Sequence, residues 1–221
     1  MISHVLCDLD GTILDTMELI LASYHYAFLE GLGQTVTDAE LMPYFGQTLD
    51  DQFAQMRPDL SDSEIERLVD IYRNHNHKEH DSHISIIPGA DVALHKLYAM
   101  GYPLGIATSK RLDMARHGLE LFGLWSYFSV VVHHDSTHLH KPHPDPLLAA
   151  IKDWGVDGSE VVYIGDSPYD MKAAKSAGCQ ALGLAYNTFT VNDLKQAGAD
   201  TVHTTWDSAL LWIFSQNPSA V

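Results

Sequence analysis

Two aspartates, Asp8 and Asp10, stand two positions apart at the end of an apolar run and are followed by Gly11 and Thr12. Residues at this spacing on a strand point the same way, and a turn at Gly11 would bring the second carboxylate beside the first. Two adjacent carboxylates repel each other, so they need a cation, a shared proton or both. An arrangement this costly predicts a functional site.

Further polar residues follow later apolar segments that are typical of strands. They are hydroxyl, lysine and acidic residues: Thr108, Ser109, Lys110, Lys141, Asp166 and Asp170. Ligands of an open α/β sheet bind beyond the carboxyl ends of its strands, so we expect these side chains to converge with the first two aspartates. Carboxylate oxygens suit Mg²⁺, whereas lysine and hydroxyl groups suit the oxygens of a phosphoryl group.

Alternating strands and helices must position these residues. Continuous apolar runs predict strands at 4–9, 103–107, 127–132, 160–164 and 180–184, with a short apolar step at 201–202. Helical periodicity between and after them predicts helices at 90–100, 112–121, 145–154, 169–177, 191–197 and 206–214. The alternation predicts a parallel sheet with helices on both faces, and we expect the tail from Ser215 to fray.

Residues 15–84 interrupt this alternation with helical patterns alone. Helices are predicted from Met17 to Leu32, from a capping sequence at Thr37, and at 50–56 and 61–75. We therefore predict an α/β protein whose core, residues 1–14 and 85–221, is a doubly wound parallel (Rossmann-like) sheet. An all-helical cap domain, residues 15–84, is inserted into that core, with hinges near 15–16 and 84–89.

Composition narrows the choice of partners. The 221 residues carry a formal net charge of −16, with 29 acidic residues against 13 lysines and arginines, which argues against nucleic acid and anionic membranes as partners. Cys7 and Cys179 each lie in an apolar run, which favours reduced thiols and a cytoplasmic protein, and we expect Cys7 to be a buried small hydrophobic residue. No segment has the pattern of a signal peptide or of a transmembrane helix. Monomer and homodimer both remain open.

Four segments resemble, in order, the motifs of the haloacid dehalogenase superfamily. Residues 8–16 resemble its first motif, 108–110 its second, 141–144 its third and 165–170 its fourth. The helical block resembles the cap of phosphoglycolate phosphatases and of a related bacterial pyrophosphatase, and 72–81 looks more like the latter. The resemblance implies a magnesium-dependent phosphohydrolase acting on a small phosphorylated substrate, either a phosphoglycolate-like metabolite or pyrophosphate.

The resemblance also implies a role for each motif residue. Asp8 would attack phosphorus and form an aspartyl-phosphate, while Asp10 would protonate the leaving oxygen and then activate water. An acid at position 10 favours phosphoryl transfer over dehalogenation, because a halide leaving group needs no proton. Mg²⁺ would be held by Asp8, the Asp10 carbonyl, Asp166, and Asp170 acting through water or by orienting its neighbours. The phosphoryl oxygens would be held by Gly11, Thr108, Ser109 and Lys141.

Alternatives remain open for the function and for several residues. A sugar phosphomutase or a catalytically silent binding protein could use the same fold. Lys110 fits a phosphate contact and a solvated lysine equally well, and Asp15 fits a helix start better than a ligand. A metal site among the histidines lacks a cysteine or acidic partner. Contact with the distal charge of the substrate is a hypothesis for the histidines of the helical block: His75, His77, His80 and His83.

Overall fold

A computed structural model describes residues 1–216, and the chain divides into two compact units. One unit comprises Met1–Asp15 and the chain from Ile86 onward, and the other comprises Thr16–Ser85. The strands, in chain order, are β1 (His4–Cys7), β2 (Leu14–Asp15), β3 (Ser85–Ile86), β4 (Leu104–Ala107), β5 (Phe128–Val132), β6 (Val161–Gly165), β7 (Gln180–Leu184) and β8 (Thr201–His203).

Six strands form one sheet in the order β5-β4-β1-β6-β7-β8, and every neighbouring pair is parallel. The chain runs outward from β1 through β4 to β5, returns to the other side of β1 as β6, and continues to β7 and β8. This order is that of a doubly wound Rossmann-like sheet, so the predicted fold class is confirmed. Because β4 and β6 flank β1, the polar residues after these three strands lie side by side at one edge of the sheet.

The helices of Thr16–Ser85 are α1 (Met17–Leu32), α2 (Asp38–Leu41), α3 (Leu49–Met56) and α4 (Asp62–Glu79). Those of the sheet unit are α5 (Ala90–Ala99), α6 (Leu112–Leu121), α7 (Asp145–Trp154), α8 (Pro168–Ser176), α9 (Val191–Gln196) and α10 (Trp206–Ser215). No helix among residues 1–216 has both the length and the apolar character that crossing a membrane requires. The predicted fraying concerns a tail of which residues 217–221 lie outside the described residues.

The central strand β1 is buried on both of its faces, as parallel strands between two helical layers are. Val5 and Cys7 belong to the apolar cluster on one face, and Leu6 belongs to the cluster on the other. Cys7 has no exposed surface, so its prediction as a buried small hydrophobic residue is confirmed. The strand is thereby fixed from both sides, and so is the point at which Asp8 leaves it.

The helical unit has an aromatic core of its own. The Tyr24 ring centroid lies 4.8 Å from that of Tyr72 and 5.1 Å from that of Phe53. Helix α4 continues to Glu79, beyond the end predicted at residue 75. The reason is that Asn76 is a buried position of this helix and donates a hydrogen bond to the Ser23 hydroxyl at 3.4 Å. Asparagine is polar, so the apolar pattern did not extend to this position.

The loop after β1 is held in place by two hydrogen bonds to its backbone. The buried Trp206 indole Nε1–H donates to the Thr12 carbonyl at 2.8 Å. The Ile87 N–H donates to the Ile13 carbonyl at 2.9 Å. Two consecutive buried carbonyls of this loop are therefore satisfied by residues distant in sequence, which is what buried backbone groups require.

Candidate active site

Asp8 lies at the end of the central strand, and its backbone N–H donates to the Ile164 carbonyl of β6 at 2.8 Å. Its carboxylate is buried, with Oδ1 2.9 Å from Lys141 Nζ. Burial raises the pKa of Asp8 to about 7; Lys141 lowers it in part and Asp170 raises it further. Without a bound metal ion, this carboxyl group is therefore only partly ionised at neutral pH.

Lys141 links Asp8 to a second buried carboxylate, that of Asp170. Its Nζ lies 2.8 Å from Asp170 Oδ1 and 3.2 Å from the Tyr163 hydroxyl. Burial by itself would lower the pKa of Lys141, but the carboxylates of Asp170 and Asp8 outweigh it and hold this pKa above its ordinary value. Lys141 is consequently a permanent positive charge inside the site, shared between two carboxylates.

Both carboxylate oxygens of Asp170 accept hydrogen bonds from neighbouring residues. Besides Lys141, its Oδ1 accepts a hydrogen bond from the Tyr163 hydroxyl at 3.1 Å. Its Oδ2 accepts from the backbone N–H and the hydroxyl of Ser167, at 3.0 Å and 2.6 Å. These contacts form the cap at the start of α8, so Asp170 is held rigidly and in turn orients Lys141.

Asp166 follows β6 and lies against the loop after β1. The Thr12 hydroxyl donates to Asp166 Oδ1 at 3.4 Å. Gly11 has a φ of +77°, and a Cβ at this position would collide with the Asp166 carboxylate. Gly165 likewise leaves no room for a Cβ beside Asp170. Glycine is thus required at both positions for the carboxylates to reach their places.

Asp8, Asp166 and Asp170 form a cluster in which one oxygen of each lies within 4.8 Å of the others. Burial raises the pKa of Asp166 well above its ordinary value, and the charges of Asp170 and Asp8 add to this effect. Three buried or partly buried carboxylates here have one lysine beside them, Lys141, and a divalent cation would offset their remaining charge. Hard oxygen donors of this kind fit Mg²⁺, and the saturation of Asp170 fits an orienting role better than direct coordination.

The second motif lies after β4, beside this cluster in the strand order. The Thr108 N–H donates to the Val132 carbonyl at 3.0 Å, and its side chain is buried. Ser109 is half-buried. Lys110 Nζ lies 2.7 Å from Asp10 Oδ1, a contact that the sequence did not predict. The structure therefore brings the predicted site residues to one edge of the sheet in two groups, one around Lys141 and one around Lys110.

Three residues of the site were missed by the sequence analysis: Thr12, Tyr163 and Ser167. A signal for Tyr163 was available, because a tyrosine inside a fully buried strand needs a partner for its hydroxyl group. Besides Asp170, that hydroxyl lies 2.9 Å from the Ala107 carbonyl. Ser167 could have been found as the cap of a helix with an acid three residues later.

The histidines of the helical unit have contacts within that unit. The His75 ring stacks on Tyr26 with a centroid distance of 4.5 Å, and burial lowers the pKa of His75. His80 is buried, with Nδ1 2.9 Å from Asp81 Oδ1. His83 Nδ1 lies 3.0 Å from the Glu79 carbonyl oxygen, and His77 is exposed. A role for any of them in substrate binding stays a hypothesis.

Comparison with known proteins gives the family. A family model described as haloacid dehalogenase-like hydrolase matches residues 5–184. The pyrophosphatase PpaX of Bacillus pumilus is 35% identical over 186 residues, and that of Bacillus velezensis is 33% identical over 185; each match covers 84% of this chain and 84% of the relative. A solved structure described as a predicted phosphatase from Clostridium acetobutylicum is 26% identical with a TM-score of 0.88, covering 97% of this chain and 99% of that one. The chain belongs to the haloacid dehalogenase-like hydrolase family.

Proposed function

We propose that this phosphatase releases phosphate from a small phosphorylated substrate through a covalent phosphoryl group on Asp8. The observation that carries the proposal is the position of the Asp8 carboxylate. It lies at the end of the central strand, inside the cluster with Asp166 and Asp170, and 2.9 Å from Lys141. A nucleophilic carboxylate must approach an anionic substrate, and Lys141 supplies part of the positive charge that this approach needs. A divalent cation held by the carboxylates would supply the rest.

The proposed reaction has two displacements at phosphorus. In the first, an Asp8 oxygen bonds to phosphorus as the bond to the leaving oxygen breaks, and Asp10 gives that oxygen a proton. In the second, Asp10 takes a proton from water, whose oxygen bonds to phosphorus while the bond to Asp8 breaks. Inorganic phosphate leaves, and both carboxyl groups return to their starting states.

The proposed reaction uses a divalent cation, and we assign it as Mg²⁺ because the available donors are carboxylate and carbonyl oxygens. Asp8, the Asp10 backbone carbonyl and Asp166 would hold it, and Asp170 would orient Lys141 and the loop of Ser167. When bound, the ion would reduce the repulsion between Asp8 and an anionic phosphoryl group.

The transferred phosphoryl group needs donors as well as a nucleophile. We assign this role to Lys141, the Thr108 hydroxyl and the backbone of Ser109 and Gly11. Lys141 supports the assignment through its permanent charge and its position beside Asp8. Thr108 and Ser109 follow the strand next to β1, where hydroxyl and N–H groups can hold phosphoryl oxygens.

For the substrate we propose pyrophosphate first and a phosphoglycolate-like monoester second. Support for pyrophosphate comes from the relatives above 30% identity, which are named as pyrophosphatases. Residues 15–84 are the proposed cap, and the side chains of such an insert are expected to choose the substrate. The chemistry at Asp8 is the same for either substrate.

Replacement of Asp8 by asparagine tests the proposal. Asp8→Asn removes the nucleophile but keeps the size of the side chain, so we expect turnover to fall by at least about 10³-fold with the fold intact. The assay measures phosphate release from pyrophosphate, phosphoglycolate, sugar phosphates and nucleotides, after chelation and after addition of Mg²⁺. Mass spectrometry of acid-quenched wild-type enzyme should detect a phosphoryl group on Asp8.

The matched control is Asp153→Asn, an exposed aspartate on α7, which should leave turnover unchanged. Substantial turnover by Asp8→Asn would exclude Asp8 as the nucleophile, and turnover that survives chelation would exclude the metal. Transfer of the phosphoryl group back to a sugar, without release of phosphate, would favour a phosphomutase. Absence of any phosphoryl adduct and of turnover would favour a silent binding protein.

A further inference from the structure

Lys110 contacts the proposed acid and base of the reaction. Its Nζ lies 2.7 Å from Asp10 Oδ1, a short charge-assisted hydrogen bond. The side chains are 13% and 26% exposed respectively, so the pair is largely shielded from water. A solvated lysine would extend away from the protein, as lysine side chains generally do.

The backbone of Lys110 is fixed as well. Its N–H donates to the Thr108 hydroxyl at 3.1 Å, and its carbonyl accepts from the His134 N–H at 3.0 Å. The first bond lies within the turn after β4, the second ties this turn to the segment after β5, and the side chain reaches towards the loop after β1. The contact with Asp10 is therefore built on a fixed backbone rather than on a mobile loop.

Lys141 is already committed to other partners. Its ammonium group has the carboxylates of Asp8 and Asp170 and the Tyr163 hydroxyl around it, at 2.9, 2.8 and 3.2 Å. An ammonium group has three N–H donors, and none of these three contacts is with Asp10. Asp10 is instead contacted by a second lysine, Lys110.

We infer that Lys110 is a positioning residue for Asp10. It holds the Asp10 carboxyl group in the orientation that proton transfer to the leaving oxygen requires. The inference rests on the proposed acid and base role of Asp10. It assigns Lys110 to the leaving-group side of the site and not to the transferred phosphoryl group.

The physical reason is the freedom of an aspartate side chain. The final torsion of aspartate has a broad energy minimum, so a free carboxyl group rotates and offers either oxygen in many directions. A hydrogen bond from Lys110 to Oδ1 fixes the plane of the group and leaves Oδ2 for the proton. In this arrangement Lys110 orients Asp10, and the proton passes through Asp10.

A double-mutant cycle separates positioning from direct substrate binding. Lys110→Met keeps the length of the side chain and removes the charge, and Asp10→Asn removes the acid. We expect Lys110→Met to lower kcat/KM for an alkyl phosphate by about 10- to 100-fold, a part of what general acid catalysis supplies. In the Asp10→Asn background the same change should lower kcat/KM by less than about threefold.

The leaving group provides a second readout. p-Nitrophenyl phosphate releases an anion that needs no proton, so Lys110→Met should lower its kcat/KM by less than about threefold. Lys110→Arg, which keeps the positive charge, should recover part of the loss with the alkyl phosphate. In Lys110→Ala, added ethylammonium should also restore turnover. A purely structural role for Lys110 would produce neither the dependence on the leaving group nor the rescue.

Lys175→Met is the matched control, because Lys175 Nζ makes an ion pair of the same length, 2.7 Å, with Asp200. It should leave kcat/KM unchanged. An equal loss from Lys110→Met with and without Asp10, or a rise in KM alone, would overturn the inference and make Lys110 a substrate contact. Asp10→Asn with wild-type kcat/KM would instead remove the proposed role of Asp10 and the inference with it.

Discussion

Two lysine–aspartate arrangements lie at the same edge of the sheet, and they differ in burial. The Lys141 side chain is 2% exposed and lies between Asp8 and Asp170, whereas Lys110 is 13% exposed and pairs with Asp10 alone. The same two residue types thus form a fully buried charged network in one place and a less buried pair in the other. The buried network is part of the folded core, whereas the less buried pair contains the proposed acid and base, Asp10.

Because the two lysines differ in burial, we expect removal of Lys141 to destabilise the fold more than removal of Lys110. Removing one partner of a buried charge network leaves the others uncompensated in a medium that solvates them poorly. A pair at the margin of the site can be replaced by water on either side. Substitution of each lysine tests this division.

Lys141→Met is expected to have the largest effect. It leaves Asp8 and Asp170 buried without their cation, so the free energy of unfolding should fall by about 3–5 kcal/mol, and turnover should fall by at least about 10³-fold. Urea denaturation and phosphate release measure the two quantities. Lys110→Met is the comparison and should lower the unfolding free energy by less than about 1 kcal/mol. Equal destabilisation by the two variants would contradict the division between them.

The pH dependence of stability tests the buried network without deleting its lysine. The pKa of Asp8 rises from 3.8 to about 7 on folding, so between these values the unfolded chain binds fewer protons than the folded one. Stability from this group is therefore complete below pH 4 and is lost as the pH rises through 7. Asp8→Asn cannot titrate. In metal-free buffer at pH 8 it should be more stable than the wild type by about 1–3 kcal/mol.

Urea titrations of both proteins at pH 5 and pH 8 measure this difference. At pH 5 it should become small, because Asp8 is then largely protonated in the folded wild type. Addition of Mg²⁺ at pH 8 should raise the stability of the wild type more than that of Asp8→Asn. A constant difference at both pH values would show that Asp8 does not have a raised pKa.

Tyr163→Phe is expected to have the smallest effect. It removes the hydroxyl group beside Lys141 Nζ and Asp170 Oδ1 but leaves both ion pairs of Lys141. The unfolding free energy should fall by about 1–2 kcal/mol, and kcat should fall severalfold, by roughly 2- to 10-fold, with KM nearly unchanged. Tyr127→Phe, which loses a hydroxyl contact with His95 of 3.2 Å, is the control and should leave kcat unchanged. A loss as large as that of Lys141→Met would mean that Tyr163 supports the network more than its lysine does.

The sheet could be predicted from the sequence because its strands are continuous apolar runs. The strand Val161–Gly165 is buried on both faces, so its residues form a continuous apolar run that is visible in the sequence alone. Helix α4 shows the limit, since its inward position Asn76 is polar and broke the apolar pattern on which the prediction depended. The two-residue strands β2 and β3 are too short to have a period, and no prediction was made for them.

The sequence predicted which residues form the candidate site, but not which lysine contacts which aspartate. The motif residues were found because each follows a strand, and the order of strands brings them together. Which lysine faces which aspartate depends on side-chain directions across three strands. These directions cannot be deduced from the spacing of the residues along the chain. Lys110 remained undecided for this reason, and Tyr163 was missed because it lies inside a strand rather than after one.

The hydrogen bond from Trp206 to the Thr12 carbonyl joins residues 194 positions apart. Ribosomes deliver the N-terminal part of a chain first, so the loop with Asp8 and Asp10 emerges long before the indole that completes it. A nascent or prematurely terminated chain that stops before Trp206 leaves this carbonyl without its donor. We expect that chain to hold its first motif loosely and to be inactive, so that synthesis of Trp206 is needed before the loop is complete.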